Sequence, residues 1–442
     1  MATIGITNAL IVTMNSGRDV LRGNILIEND RIKAISPKEL VADRIIDAAG
    51  QVVIPGLIQP HVHLCQSLFR GQADDLELLD WLKLRIWPLE GAHDPESLYY
   101  SALLGIGELF RSGTTAIIDM ETVHHTESAF EAIAASGIRA ISGKCMMDWG
   151  QDVPGSLLEQ TDQSLAESVA LLEKWHGKAA GRLQYAFAPR FAVSCTETLL
   201  KEVSKLARQH KVKIHTHAAE NQGEIRLVEA ERKLRNVLYF DQLGMANEDL
   251  ILAHCIWLDD QELELIRQRR IHVVHCPSCN MKLASGIARI PEMLEQGINV
   301  SIGADGTPCN NNLDQFTEMR MAALIQKPLH GPTVMPARQV FEMATLGGAA
   351  AMGLSDQIGS LEPGKKADLV LVDLEKLHCT PDGGANIYAK LVYQARGSDV
   401  ALTMVDGKIV YEGNRLTTID EADVIKQSNR LLTQVQERAG IR

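Results

Sequence analysis

The stretch Pro55-Gly56-Leu57-Ile58-Gln59-Pro60-His61-Val62-His63 is an apolar run that ends in two histidines separated by one residue. Side chains alternate across a β-strand with period two, so this spacing puts both imidazoles on one face. Two neutral imidazoles aimed at one point make half of a first-row metal site. Taken alone, such a pair is more often capping or core histidine than ligand. The residues that follow apolar segments further along the chain change that balance.

Strand-like segments recur at 52–59, 115–119, 139–144, 183–188, 212–217, 249–253, 272–275 and 299–303, and helical periods over 98–111, 157–176, 196–210 and 259–269 separate most of them. Eight βα units are the count of a closed parallel barrel. His61 and His63 follow the first segment, and Asp119, Lys144, Arg190, His217, His254, His275 and Asp305 stand at or just beyond the ends of the others. Chemistry in such barrels is built at the C-terminal rim, so this placement is what an active site produces.

Both ends of the chain have a different texture, of short β-branched runs broken by turn residues such as Asn29-Asp30 and the hairpin signal Asp406-Gly407. The expected architecture is therefore a distorted (β/α)8 TIM barrel over residues 56–360. A small β-sandwich domain drawn from both termini, residues 1–55 and 361–420, accompanies it, and a C-terminal helix lies within 421–442.

The 442 residues are 45% hydrophobic and 23% charged, a globular balance with no apolar run long enough to span a bilayer. A formal charge of −12 disfavours nucleic acid as a partner. Met1 to Thr7 carry no signal-peptide pattern, and the eight cysteines are scattered as small reduced core residues would be, which gives a cytoplasmic expectation. Cys276-Pro-Ser-Cys279 lacks a second pair and reads as structural, as does His275.

His61-Val-His63, Thr216-His217-Ala-Ala-Glu220, Ala253-His254-Cys255 and Gly303-Ala-Asp305-Gly306 resemble, in order and spacing, the amidohydrolase superfamily, specifically its deaminase and chlorohydrolase branch. The resemblance implies that His61, His63, His217 and Asp305 ligate one divalent metal, zinc first with iron or manganese as alternatives. It also implies that Glu220 shuttles protons, that His254 contacts the activated water or the substrate, and that Asp305 doubles as proton acceptor. No barrel lysine follows the fourth strand, which ends Ala188-Pro189-Arg190, so a single metal is expected.

For the substrate, an amino-substituted nitrogen heterocycle is implied, and the finer motifs divide. Ala188-Pro-Arg190-Phe191 and Gln66 resemble the guanine deaminases, with Gln66 and Arg190 holding the purine edge. Arg70-Gly-Gln-Ala-Asp-Asp75, Trp87-Pro-Leu-Glu90 and Met281 to Gly286 resemble the branch acting on methylthioadenosine, adenosylhomocysteine or triazines, with Glu90 as a partner for ribose hydroxyls. Guanine or a related oxopurine is the first expectation; adenosine-type nucleosides, pterins and triazines are alternatives, and a metal-free scaffold is the remote one. A homodimer or larger homo-oligomer is expected.

Overall fold

Eight parallel strands, Leu57–Val62, Thr114–Met120, Arg139–Gly143, Leu183–Pro189, Lys213–Ala218, Leu250–His254, His272–His275 and Val300–Ile302, pair in chain order as a barrel in the computed structural model, which describes residues 3–150 and 152–441. Helices on the outside separate the strands, and their ends follow local chemistry. Asp94 and Ser97 form a reciprocal capping box at the start of helix Pro95–Arg111, and Asp259 with Glu262 does the same for Asp260–Arg269. The helix expected over 157–176 begins later, at Thr161.

The barrel is distorted at one seam. Among the described residues, the first and eighth strands meet through an isolated bridge between Val62 and Asp305 in place of a ladder. Buried backbone groups left open by that gap must find other partners, and two buried glutamines supply most of them. Gln315 Nε2 donates to Ile58 O at 3.2 Å and to Ile302 O at 2.9 Å, while Gln59 donates to Leu313 O at 2.8 Å and accepts from Ala304 N at 3.2 Å. Asp305 N donates to His61 O at 3.1 Å, so the seam itself sets two of the expected site residues side by side. Gly303 has to be glycine here, because a Cβ would lie 2.7 Å from His61 O.

The run expected as one strand over 52–59 is two. Gln51–Pro55 belongs to the terminal sheet and Leu57–Val62 to the barrel. The chain turns between them at Gly56, where a Cβ would fall 2.0 Å from Thr115 Oγ1. The terminal sheet has nine strands, five from the N-terminal side and four from the C-terminal side, joined where Gln51–Pro55 pairs antiparallel with Leu369–Asp373. Ile6, Ile25, Val53, Leu369 and Met404, drawn from both ends of the chain, share one apolar core. A buried ion pair ties this sheet to the barrel: Arg139 donates to both oxygens of Asp368, at 2.8 and 3.0 Å. The C-terminal helix, Glu421–Ala439, lies along Pro95–Arg111, held by Tyr100 to Asp423 at 2.9 Å and Arg111 to Glu421 at 2.6 Å.

Replacing Gln315 with leucine keeps the volume but strands two buried carbonyls at the seam. The Gln315→Leu variant is expected to lose at least about 1–3 kcal/mol of stability, read from denaturant unfolding monitored by circular dichroism. A variant as stable as the parent would show that the seam does not need this amide.

Candidate active site

Four expected ligands come together at the C-terminal mouth of the barrel. His61 lies within the first strand, His63 just beyond it, His217 on the fifth, and Asp305 three residues past the eighth. Each imidazole is aimed through its Nδ1. His63 Nδ1 donates to Met120 O at 2.8 Å, and His217 Nδ1 donates to Arg190 O at 2.7 Å. A carbonyl only accepts, so in the neutral rings both Nε2 atoms carry lone pairs, and these lie 3.3 Å apart. His61 Nδ1 lies 2.8 Å from Nε2 of His215, and its own Nε2 is buried without a hydrogen-bond partner. Asp305 Oδ1 stands 3.3 Å from His61 Nε2 and 3.2 Å from His63 Nε2.

Three buried nitrogen lone pairs and a carboxylate oxygen converging on one point repel one another unless a positive charge sits among them. The donor set of neutral imidazoles and carboxylate fits a divalent cation such as zinc. The backbone turns left-handed around the set: Asp305 has φ +66°, His254 φ +71° and Cys255 φ +50°, a region that Asp and His enter more readily than most side chains and cysteine seldom does.

His254 and Glu220 flank the cluster. His254 Nε2 is 3.5 Å from Glu220 Oε2 and 3.7 Å from Asp305 Oδ2, with its Nδ1 fixed 2.9 Å from Asn280 Oδ1. Burial pushes the Glu220 carboxyl well above the ordinary range, and the charges of Asp305 and Glu224 push it further. Burial acts the same way on Asp305, but the charges and hydrogen bonds of His61 and His63 outweigh it and hold that carboxyl well below the usual range. Burial lowers His61 to about 4 against the pull of Asp305, and lowers His217 well below its ordinary value with help from the neighbouring imidazoles.

A cavity opens beside these groups, walled by Leu78, Trp81, Leu82, Phe191 and Leu283 with Gln66 and Arg190 among its polar atoms. Arg190 is not free as the sequence reading had it. Its two terminal nitrogens donate to Glu90, at 2.6 and 3.2 Å, and Gln66 Nε2 donates to the same carboxylate at 2.8 Å. The three residues expected at the substrate therefore form one buried network. Although burial opposes it, the Arg190 charge holds the Glu90 carboxyl below its ordinary range.

Other rim residues have structural duties. Asp119 accepts from Leu64 N at 2.9 Å and from Ser142 Oγ at 2.6 Å, which fixes the turn after His63. Lys144 pairs with Glu159, and His275 is buried with both ring nitrogens unpartnered, its pKa lowered to about 3 by burial. Sequence reasoning missed His215, which aims His61; Asn280, which aims His254; and Glu224, whose Oε2 accepts from Glu220 N at 2.8 Å. A signal for the first was present, since His215-Thr-His217 repeats the period-two spacing of His61-Val-His63.

A model described as "Amidohydrolase family" matches residues 52–410. Over 442 residues the chain is 39% identical to a 5'-deoxyadenosine deaminase of Methanosarcina mazei, covering 99% of both. It is 37% identical over 433 residues to a 5-methylthioadenosine/S-adenosylhomocysteine deaminase of Moorella thermoacetica, covering 97% of this chain and 98% of that one. Among solved structures, an adenosine deaminase of Xanthomonas campestris with bound zinc superposes with a TM-score of 0.92 at 30% identity, covering 99% of both chains.

Removing the support behind a ligand tests the cluster without touching the ligand. His215→Ala is expected to weaken metal binding about 10–100-fold, measured by competition with a chromogenic chelator. Unchanged affinity would mean that His61 needs no help from His215.

Proposed function

The chain belongs to the amidohydrolase family, and we propose that it hydrolyses the exocyclic amino group of an adenosine-type nucleoside modified at its 5' position, releasing ammonia and leaving a carbonyl. The observation that carries this is end-to-end likeness to deaminases of 5'-deoxyadenosine and methylthioadenosine, together with a convergent His61, His63, His217 and Asp305 cluster beside Glu220 and His254. Guanine, the first expectation from the sequence, is not supported. The relatives at 37–39% identity are named for adenosine-type substrates. Arg190, which was to grip the oxopurine, pairs through both terminal nitrogens with Glu90, which leaves further N–H groups on the same guanidinium. The apolar wall of Leu78, Trp81, Leu82 and Leu283 suits a purine face and an uncharged 5' substituent.

His61, His63, His217 and Asp305 would hold one divalent ion, zinc in first place. When bound, the ion supplies Lewis-acid activation of a water molecule near neutral pH. Asp305 presents one oxygen to the histidines and turns the other toward His254, where it can take up the proton the water gives up. Glu220 is kept protonated by its burial, so it can donate to a ring nitrogen as the ring carbon is attacked. It then recovers the proton that Asp305 and His254 pass toward it and delivers it to the leaving amine. The carbon–nitrogen bond breaks as ammonia departs, and the hydroxyl added to the ring carbon gives its proton back to Glu220 as the carbonyl forms. His254, held by Asn280, orients the attacking water between the two carboxyl groups.

Steady-state kinetics on 5'-deoxyadenosine, methylthioadenosine, adenosylhomocysteine and guanine test the assignment. The best adenosine-type substrate is expected to exceed guanine by at least about a hundredfold in kcat/KM; guanine as the best substrate would reverse the order proposed here. Glu220→Gln is expected to keep its metal and lose on the order of 10² to 10⁴ in kcat. A variant that loses metal instead would make Glu220 a ligand.

A further inference from the structure

Three buried cysteines surround the active site without any part in the chemistry proposed above: Cys276, Cys279 and Cys309. Cys279 lies on helix Pro277–Lys282 and Cys309 on helix Thr307–Asn310. The sulfurs of these two and a carboxylate oxygen of Asp305 all lie within 4.8 Å of one another. The Cys279 sulfur also lies within 4.8 Å of ligating atoms of Glu220 and His254. All eight cysteines are free.

We propose that Cys279, Cys309 and Asp305 form a second cation position, selective for soft divalent ions and adjoining the first, whose occupation shuts the enzyme down. The chemistry of the donors differs from that of the histidine cluster. Two thiolates favour zinc or cadmium over magnesium and manganese, whereas imidazole and carboxylate alone discriminate less. Ligand atoms of a tetrahedral thiolate site stand about 3.5–4 Å apart, which falls inside the 4.8 Å that encloses these three atoms. The two sulfurs are held in register by one buried carboxylate. Glu318 accepts from Ser278 N at 3.2 Å and from Asn310 Nδ2 at 2.9 Å, fixing the residue next to each cysteine. A cation entering here displaces one proton from each thiol to solvent and forms two metal–sulfur bonds. It draws Asp305 away from His254 and crowds Glu220, the groups to which proton transfer is assigned.

The ordinary alternative is that both thiols are small apolar core residues, and the two are separable by spectroscopy. Protein loaded with one equivalent of zinc is titrated with cadmium, with bound metal counted by equilibrium dialysis and thiolate-to-cadmium charge transfer followed in the ultraviolet. A second equivalent is expected, with the charge-transfer band rising in step. Both are expected to be lost in the Cys279→Ser/Cys309→Ser double variant, which keeps its first metal. If the double variant does not fold, the single variants carry the test, each with about half the band because each keeps one thiolate. Failure to bind a second equivalent, or a band removed by Cys276→Ser and not by these changes, overturns the proposal. The inhibition rests on the deaminase reading and is measured separately: activity on 5'-deoxyadenosine is expected to fall as the second equivalent fills in wild type and to persist in the double variant, while manganese leaves both unaffected. Cadmium binding with full activity would leave the site but overturn its inhibitory role.

Discussion

Everything at the mouth of this barrel depends on where three imidazole protons go. His63 and His217 each commit Nδ1–H to a backbone carbonyl, at Met120 and Arg190, and His61 shares a hydrogen bond with His215. With those protons placed, the Nε2 atoms of the neutral His63 and His217 rings have nothing left to donate and lie 3.3 Å apart inside a buried cavity. Burial makes this arrangement costly in the bare protein, because lone pairs face one another with no water to separate them. A cation relieves that cost, so the same convergence of lone pairs gives the cluster affinity. The acceptor carbonyls sit at the ends of the second and fourth strands, and the aim of the ligands is accordingly set by strand register.

The open seam serves the same end. In a fully laddered barrel the first and eighth strands would run on side by side, whereas here the pairing is reduced to Val62 and Asp305 and the missing bonds come from Gln59 and Gln315. Asp305 can then leave the strand direction in a left-handed conformation and turn its carboxylate back toward His61 and His63. Arg190 joins the two halves of the site in another way. Its carbonyl orients His217, and its guanidinium, paired with Glu90, anchors Gln66 at the cavity wall. A change at Arg190 therefore reaches both the metal cluster and the substrate wall.

Much of this was legible in the sequence because it follows from period and position. Two histidines at period two after an apolar run, and polar residues at the ends of successive strands, state where a barrel keeps its chemistry. What stayed hidden depends on contacts between distant residues. The Glu90–Arg190 pair spans 100 positions, so the carboxylate that holds Arg190 could not be read from the sequence. Glu224 looked like one more carboxylate on a helix face, although it is buried beneath Glu220 and holds its backbone. Gly56 was swallowed by an unbroken apolar run, and only the proximity of Thr115 shows that the chain passes there from one sheet to another.

The two carboxyl groups that share the cavity are pushed apart by what surrounds them. Asp305 is flanked by imidazoles that favour its anion, while Glu220 is flanked by apolar burial and by two other carboxylates that disfavour its own. Environments that separate two like groups assign the acid and the base. A bound cation deepens the difference at Asp305, since positive charge further favours its anion, but at Glu220 it works against burial and favours ionisation. Behind Glu220 lies a further carboxyl that adds to the effect of burial. There Glu224, itself raised by burial to about 7, accepts the Glu220 amide and stands as a negative charge or its neutral form according to pH. Burial is thus the main reason Glu220 serves as the acid of this site, with the charges of Asp305 and then Glu224 adding to it.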